Sequence, residues 1–145
     1  MEQKNTSSDY AIDWLTDQVI FIRWEKSPTD PNITTAFIRE LHEILHSVTE
    51  PVFFLSDLRK GRITDVRSLQ GLAELTKHKN WGGGAAFSEN PMTKIFVDTV
   101  KRLARDINTR DGMFMSPEKA IAYLESLQPD ITVDIDWNAV LGLES

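Results

Sequence analysis

Between Pro51 and Leu58 the chain reads Val52-Phe53-Phe54-Leu55-Ser56-Asp57-Leu58, an apolar run without alternation that closes on a short acid. Such a run is the pattern of a strand buried on both faces of a parallel sheet, and it predicts the central strand of the fold. Upstream, Tyr10-Ala11-Ile12-Asp13-Trp14-Leu15 and Val19-Ile20-Phe21-Ile22-Arg23-Trp24 flank the turn signal Thr16-Asp17-Gln18, which predicts an antiparallel hairpin. Asp30-Pro31 is a helix start, and Ile33, Phe37, Leu41, Ile44, Leu45 and Val48 follow at helical spacing.

Downstream of the central strand, Arg59-Lys60-Gly61-Arg62 forms a basic turn. Thr64 or Asp65 then caps a second helix carrying Val66, Leu69, Leu72, Ala73 and Leu75 inward and ending near Lys77-His78-Lys79-Asn80. Trp81-Gly82-Gly83-Gly84 reads as a flexible joint before a short strand, Ala85-Ala86-Phe87-Ser88. Asn90-Pro91 launches a third helix with Met92, Ile95, Phe96, Thr99, Val100, Leu103 and Ile107 on one face. Gly112-Met113-Phe114-Met115 is a last short strand, and Ser116-Pro117 caps a fourth helix with Ala120, Ile121, Leu124 and Leu127 inward. A hairpin followed by alternating helices and strands implies an α/β domain, with helices packed on a mixed sheet of about five strands. Pro129 ends the last helix. Ile131-Thr132-Val133-Asp134-Ile135-Asp136-Trp137 then alternates like an edge strand, able to pair with this domain or a neighbour, or else forms a docked extension.

Length and composition narrow the function classes. At 145 residues the chain is one ordinary domain, divided here into residues 1–8, a folded body over 9–127 and an acidic extension over 128–145. Residues 1–8 are polar and expected to be disordered; with no apolar run behind them, the expectation is a cytoplasmic protein without a secretion signal or membrane span. The absence of cysteine removes disulfides, thiolate nucleophiles and Cys-built zinc sites. Formal net charge is −6, and residues 125–145 contribute Glu125, Asp130, Asp134, Asp136 and Glu144 without a single Lys or Arg, so the excess sits in the tail. A nucleic-acid binder needs a basic face, which argues against that class.

The loudest chemical pattern is His42-Glu43-Ile44-Leu45-His46, two His one turn apart with a Glu between them, as on zinc-protease helices. Helical geometry places both His away from the Ile33–Val48 apolar stripe and toward solvent. A catalytic zinc also needs a third ligand in a cleft, and the only remaining His is His78 near a helix end. A solvated helix face is the favoured reading, and no metal or other cofactor is expected. Ser88, Asn90 and Thr93 lie at a strand-to-helix junction where free amides could hold a small ligand, although simple capping explains them as well. The remaining candidate is the edge that follows the central strand: Asp57, Arg59, Arg62, Asp65, Arg67 and Ser68, with paired signs that would steer a protein partner.

The hairpin with Trp14, Leu55-Ser56-Asp57-Leu58, the helix after Asp65, the strand leading into Asn90-Pro91, and the closing Met113-Phe114-Met115-Ser116-Pro117-Glu118-Lys119-Ala120-Ile121-Ala122-Tyr123-Leu124 together resemble the STAS (SpoIIAA-like) superfamily over residues 9–127. The narrower resemblance is to its small stand-alone bacterial domains. It implies a regulatory, non-catalytic domain acting through protein–protein interaction. Anti-sigma antagonist members follow the Asp-Leu of the central strand with a second Asp and then Ser-Ser-Gly, where a Ser is phosphorylated. Here Asp57-Leu58 and Asp65 match, but Val66, Arg67 and Ser68 stand in the next three places, so the usual phosphorylatable serine is missing and Ser68 is the nearest hydroxyl. Lipid-handling relatives of the fold imply a second possibility, a small apolar ligand under the third helix. Exposed apolar surface on Phe114, Met115 or Trp137 would favour a homodimer.

Overall fold

The computed structural model describes residues 9–95, 98 and 111–142. Five strands, β1 (Tyr10–Trp14), β2 (Val19–Trp24), β3 (Val52–Asp57), β4 (Trp81–Phe87) and β5 (Asp111–Phe114), form one sheet in the order β1-β2-β3-β4-β5. β1 and β2 are antiparallel, and every later pairing is parallel. The apolar run is thus the middle strand, as expected. Val52 and Phe54 join the core on one face, while Phe53 and Leu55 join that on the other. All four are at most 3% exposed, which is why their sequence shows no polar alternation.

Helix α1 (Pro31–Ser47) starts where predicted: the Asp30 carboxylate accepts from Asn32 N, and Pro31 opens the first turn. Its Phe37, Leu41 and Leu45 are buried against β2 and β3, with Phe37 edge-on to Trp24 at 4.8 Å between ring centroids. Helix α2 (Val66–Leu75) is capped by Asp65, which accepts from Ser68 N. It ends ahead of the predicted Lys77–Asn80, because Thr76, Lys77 and His78 donate to carbonyls three residues back and tighten the chain into turns. Helix α3 begins at residue 91 and is described through 95; its predicted face from Phe96 to Ile107 lies outside the described residues. Helix α4 (Pro117–Leu127) is capped by Ser116 and buries Ala120 and Leu124 on the opposite face of the sheet from α1 and α2.

Two expectations are corrected. Gly82, Gly83 and Gly84 are not a flexible joint but the body of β4, with a register shift opposite Val52 and Phe53. A Cβ on Gly82 would stand 2.8 Å from the Phe53 ring, and one on Gly84 would stand 2.8 Å from the Trp81 ring. The glycines let two aromatic rings lie against the strand backbone. The Ile131–Trp137 segment is not an edge strand either: it turns, then forms α5 (Trp137–Leu141), capped by Asp136. The Glu125 carboxylate organises that turn by accepting from the amides of Asp130 and Thr132, both at 2.8 Å, and from the Thr132 hydroxyl. Ile131 and Leu141 are buried in the α4-side core, whereas Val133 is 69% exposed, which breaks the one-face logic of a strand. Among the described residues, no helix is long and apolar enough to cross a membrane.

Candidate functional site

A largely apolar cavity of about 160 Å³ lies between the sheet and helices α1 and α2. Its origin is a change in side-chain size across one face of the sheet. β2 contributes Ile22 and Trp24 and β3 contributes Phe54, but the β4 residues in register with Phe54 and Ser56 are Gly84 and Ala86. Phe37 and Leu41 of α1, and Leu69 and Leu72 of α2, close over this shallow floor without filling it. Trp81 stacks on Phe54 at 4.8 Å and an interplanar angle of 13°, forming a rigid wall. Its indole Nε1 is buried without a hydrogen-bond partner. Neither Trp81 nor the cavity was legible as a site in the sequence; the signal was the glycine pair at alternate positions, Gly82 and Gly84, beside a tryptophan.

The charged edge at the carboxyl end of β3 is organised around Asp57, which is 4% exposed. One carboxylate oxygen accepts from the Arg59 amide and Nε, both at 3.0 Å. The other accepts from an Arg59 terminal nitrogen at 2.8 Å and from Arg23 Nε at 3.3 Å. Burial pushes the Asp57 carboxyl up, but the Arg59 side chain and amide, with the Arg59 and Arg23 charges, outweigh it and hold the group below the usual carboxylate range. Both guanidiniums also hold the tail: Arg23 donates to the Val140 carbonyl at 2.9 Å and Arg59 to that of Leu141 at 3.2 Å. Arg23 and the end of α5 were not anticipated here. The Arg62 amide donates to Ser27 Oγ, Asp65 is the α2 cap, Arg67 is exposed, and Ser68 Oγ donates to Thr34 Oγ1 at 3.2 Å, tying α2 to α1. Of the six predicted residues, Asp57 and Arg59 thus belong to the ion cluster, Arg62 to the turn, and Asp65, Arg67 and Ser68 to the start of α2.

His42 and His46 are exposed, as their helical phase predicts, but the fold brings His78 beside them, with ring centroids 5.5 to 6.0 Å apart. His78 Nδ1 accepts from the Asn80 amide at 3.0 Å, so in the neutral ring Nε2 carries the proton and offers no lone pair to a cation. Among the described residues no group of His, Asp or Glu has metal-holding geometry, which argues against the zinc-hydrolase alternative. The Asn80 side chain meanwhile donates to the Leu45 and Val48 carbonyls, both at 2.9 Å, so this turn clasps the end of α1. Burial, then His46, His42 and Lys79, lower the His78 pKa. The unfolded chain accordingly takes up this proton first as pH falls, and the associated stability is full above about pH 6.5 and diminishes as pH drops below it. His78→Asn retains an acceptor for the amide two residues on, as asparagine does in Asx turns. The thermal midpoint of that variant should fall less steeply as pH drops below about 6.5 than that of the parent chain.

At the β4–α3 junction, Ser88 Oγ accepts from Asn90 N and Asn90 Oδ1 accepts from Met92 N, while Ser88 and Thr93 are buried. These are capping bonds. Of the three residues considered for a dimer face, Phe114 packs on Tyr123, Trp137 packs on the α4-side core and Met115 is 36% exposed.

No family model and no curated protein matches the chain. Among solved structures it is similar to an uncharacterized protein of the DUF3478 family with a SpoIIAA-like fold from Shewanella loihica PV-4. The TM-score is 0.54 at 12% sequence identity, and the match covers 86% of this chain and 97% of that one. With its opening hairpin, three parallel pairings and helices on both faces, this chain has the SpoIIAA-like fold that its resemblance to the STAS superfamily implied.

Proposed function

We propose that the protein is a non-catalytic binding module whose cavity between the sheet and helices α1 and α2 takes a small apolar molecule. The cavity carries this reading. Its volume, about 160 Å³, is of the order of a benzene-sized guest, and the space is half open to the surface, which gives such a guest a way in. Water against these apolar walls makes few favourable contacts, and an apolar ligand that displaces it gains dispersion contacts with them. Few charged groups adjoin it: among the described residues around the cavity, Arg62 is the one ionisable side chain. Native mass spectrometry of gently purified protein should show a bound mass that is absent from Ala73→Leu, in which a longer side chain on α2 enters the space. A clean apo mass for the parent chain, or the same adduct on the variant, counts against the reading.

A second reading, protein docking at the start of α2, is favoured by one observation: Asp65, Val66 and Arg67 are consecutive and exposed, with Val66 43% exposed between opposite charges. Arg67→Glu would then weaken capture of a partner while leaving the cavity and the fold intact.

A further inference from the structure

Resting on the apolar-ligand reading above, the placement of the cavity's polar groups narrows the chemistry of the guest. At the end beside Leu75 and Trp81, the Thr76 hydroxyl is already spent on the Ala73 carbonyl at 2.6 Å. The other end lies at the carboxyl end of β3, where Ser56 and Arg62 line the space and both are half-buried, so each keeps surface open to a guest. Ser56 stands two residues after Phe54 and therefore on the same face of the sheet. Its register neighbours on β2 and β4 are Ile22 and Ala86, whose side chains cannot bond a hydroxyl.

Arg62 is carried by a turn with little freedom. Its amide donates to Ser27 Oγ at 3.1 Å, Gly61 before it lies against the Lys26 backbone, and Ile63 after it is buried in the lining of the same cavity. No Asp or Glu is among the described residues around the cavity. The carboxylate of Asp57, next to Ser56, belongs to the opposite face of β3 and is held there by Arg23 and Arg59. A cation thus sets the charge at this end, and an apolar chamber leads away from it.

We infer that the guest is a small organic anion: a compact apolar body that fills the space beneath α2, and one carboxylate held by Arg62 at the Ser56 end. A guanidinium has five donors in a planar fork, so it takes a carboxylate through two of them while keeping bonds within the protein. A neutral amide of the same shape forgoes the charge-assisted bonds, and a cation of that shape meets like charge.

The test compares three near-isosteric probes, benzoate, benzamide and benzamidine, with toluene as the uncharged reference, each titrated into the labelled protein and followed by NMR. Benzoate should bind at least about tenfold tighter than benzamide, the factor equivalent to 1.4 kcal/mol, and benzamidine more weakly than either. Added salt should shrink that preference in the parent chain. Arg62→Gln should bring benzoate down to the affinity of benzamide, while Arg62→Lys should retain part of the difference. Ala73→Leu should remove benzoate and toluene alike, which places the anion in the cavity and not on the surface. Toluene binding without a benzoate preference, a preference that Arg62→Gln leaves intact, or benzoate binding that survives Ala73→Leu overturns the inference. Failure of toluene and of all three probes to bind overturns the cavity reading along with it.

Discussion

Replacing Asp57 with Ala is expected to lower stability by roughly 2–4 kcal/mol, because it leaves Arg23 and Arg59 facing each other without the carboxylate they share. Loss of one partner of a buried pair typically costs more than this. The upper end is reduced here because the two arginine side chains are 31% and 24% exposed and water screens them in part. The effect should extend to the tail, since the same guanidiniums hold the Val140 and Leu141 carbonyls. Amide exchange should therefore speed up in α5 before it does in β3. Asp57→Asn keeps oxygen for one arginine and should fall between the two. The pH dependence follows from the depressed carboxyl pKa. The stabilisation from Asp57 is present above the ordinary aspartate value near 4 and disappears as pH falls through the folded-state value, so Asp57→Asn should show a shallower acid limb below about pH 4. Denaturant unfolding across that range checks both parts.

Gly61→Ala should be at least as damaging, by about 3 kcal/mol or more, and for a different reason. The basic turn after β3 crosses the segment after β2 so closely that a Cβ on Gly61 would stand 2.2 Å from the Lys26 carbonyl carbon and 2.5 Å from its oxygen. The obstructing atoms are backbone, and both strands leading into the crossing are fixed in register, so neither side can yield cheaply. The Arg62 amide bond to Ser27 Oγ at 3.1 Å sits at the same crossing and should be lost with it. Gly142→Ala is the contrasting case. That residue has φ +69° with open space around its Cβ position, so only the left-handed backbone penalty applies, about 1 kcal/mol. Thermal unfolding of the two variants side by side separates steric collision from conformational strain.

The parts of this fold that were legible in the sequence are those where one residue type answers one local need. Val52 to Leu55 announce a strand covered on both faces because each residue meets a core. Asp30-Pro31 and Ser116-Pro117 announce helix starts because the acceptor and the pre-set φ act within one turn. The misread parts depend on distant partners. The Gly82–Gly84 run looks like a hinge until Phe53 and Trp81 are laid against it. The tail's alternation looks like a strand until Glu125 and the two arginines fold it into a turn and a short helix. The cavity was the least legible, since it consists of missing side chains on β4 beside large ones on β2 and β3, and no local pattern encodes a void. The convergence of His78 with His42 and His46 has the same origin: residues 36 and 32 positions apart in the chain meet only through the packing of α2 on α1.

The central claim, that the space beneath α2 is a binding site, is tested most directly by titrating the labelled protein with toluene and following backbone and side-chain NMR signals. Saturable shifts concentrated on Trp24, Phe54, Leu72, Trp81 and Ala86, and absent in a folded Ala73→Leu variant, are the predicted result. Shifts that fail to saturate, that scatter over the surface, or that persist unchanged in Ala73→Leu would contradict it.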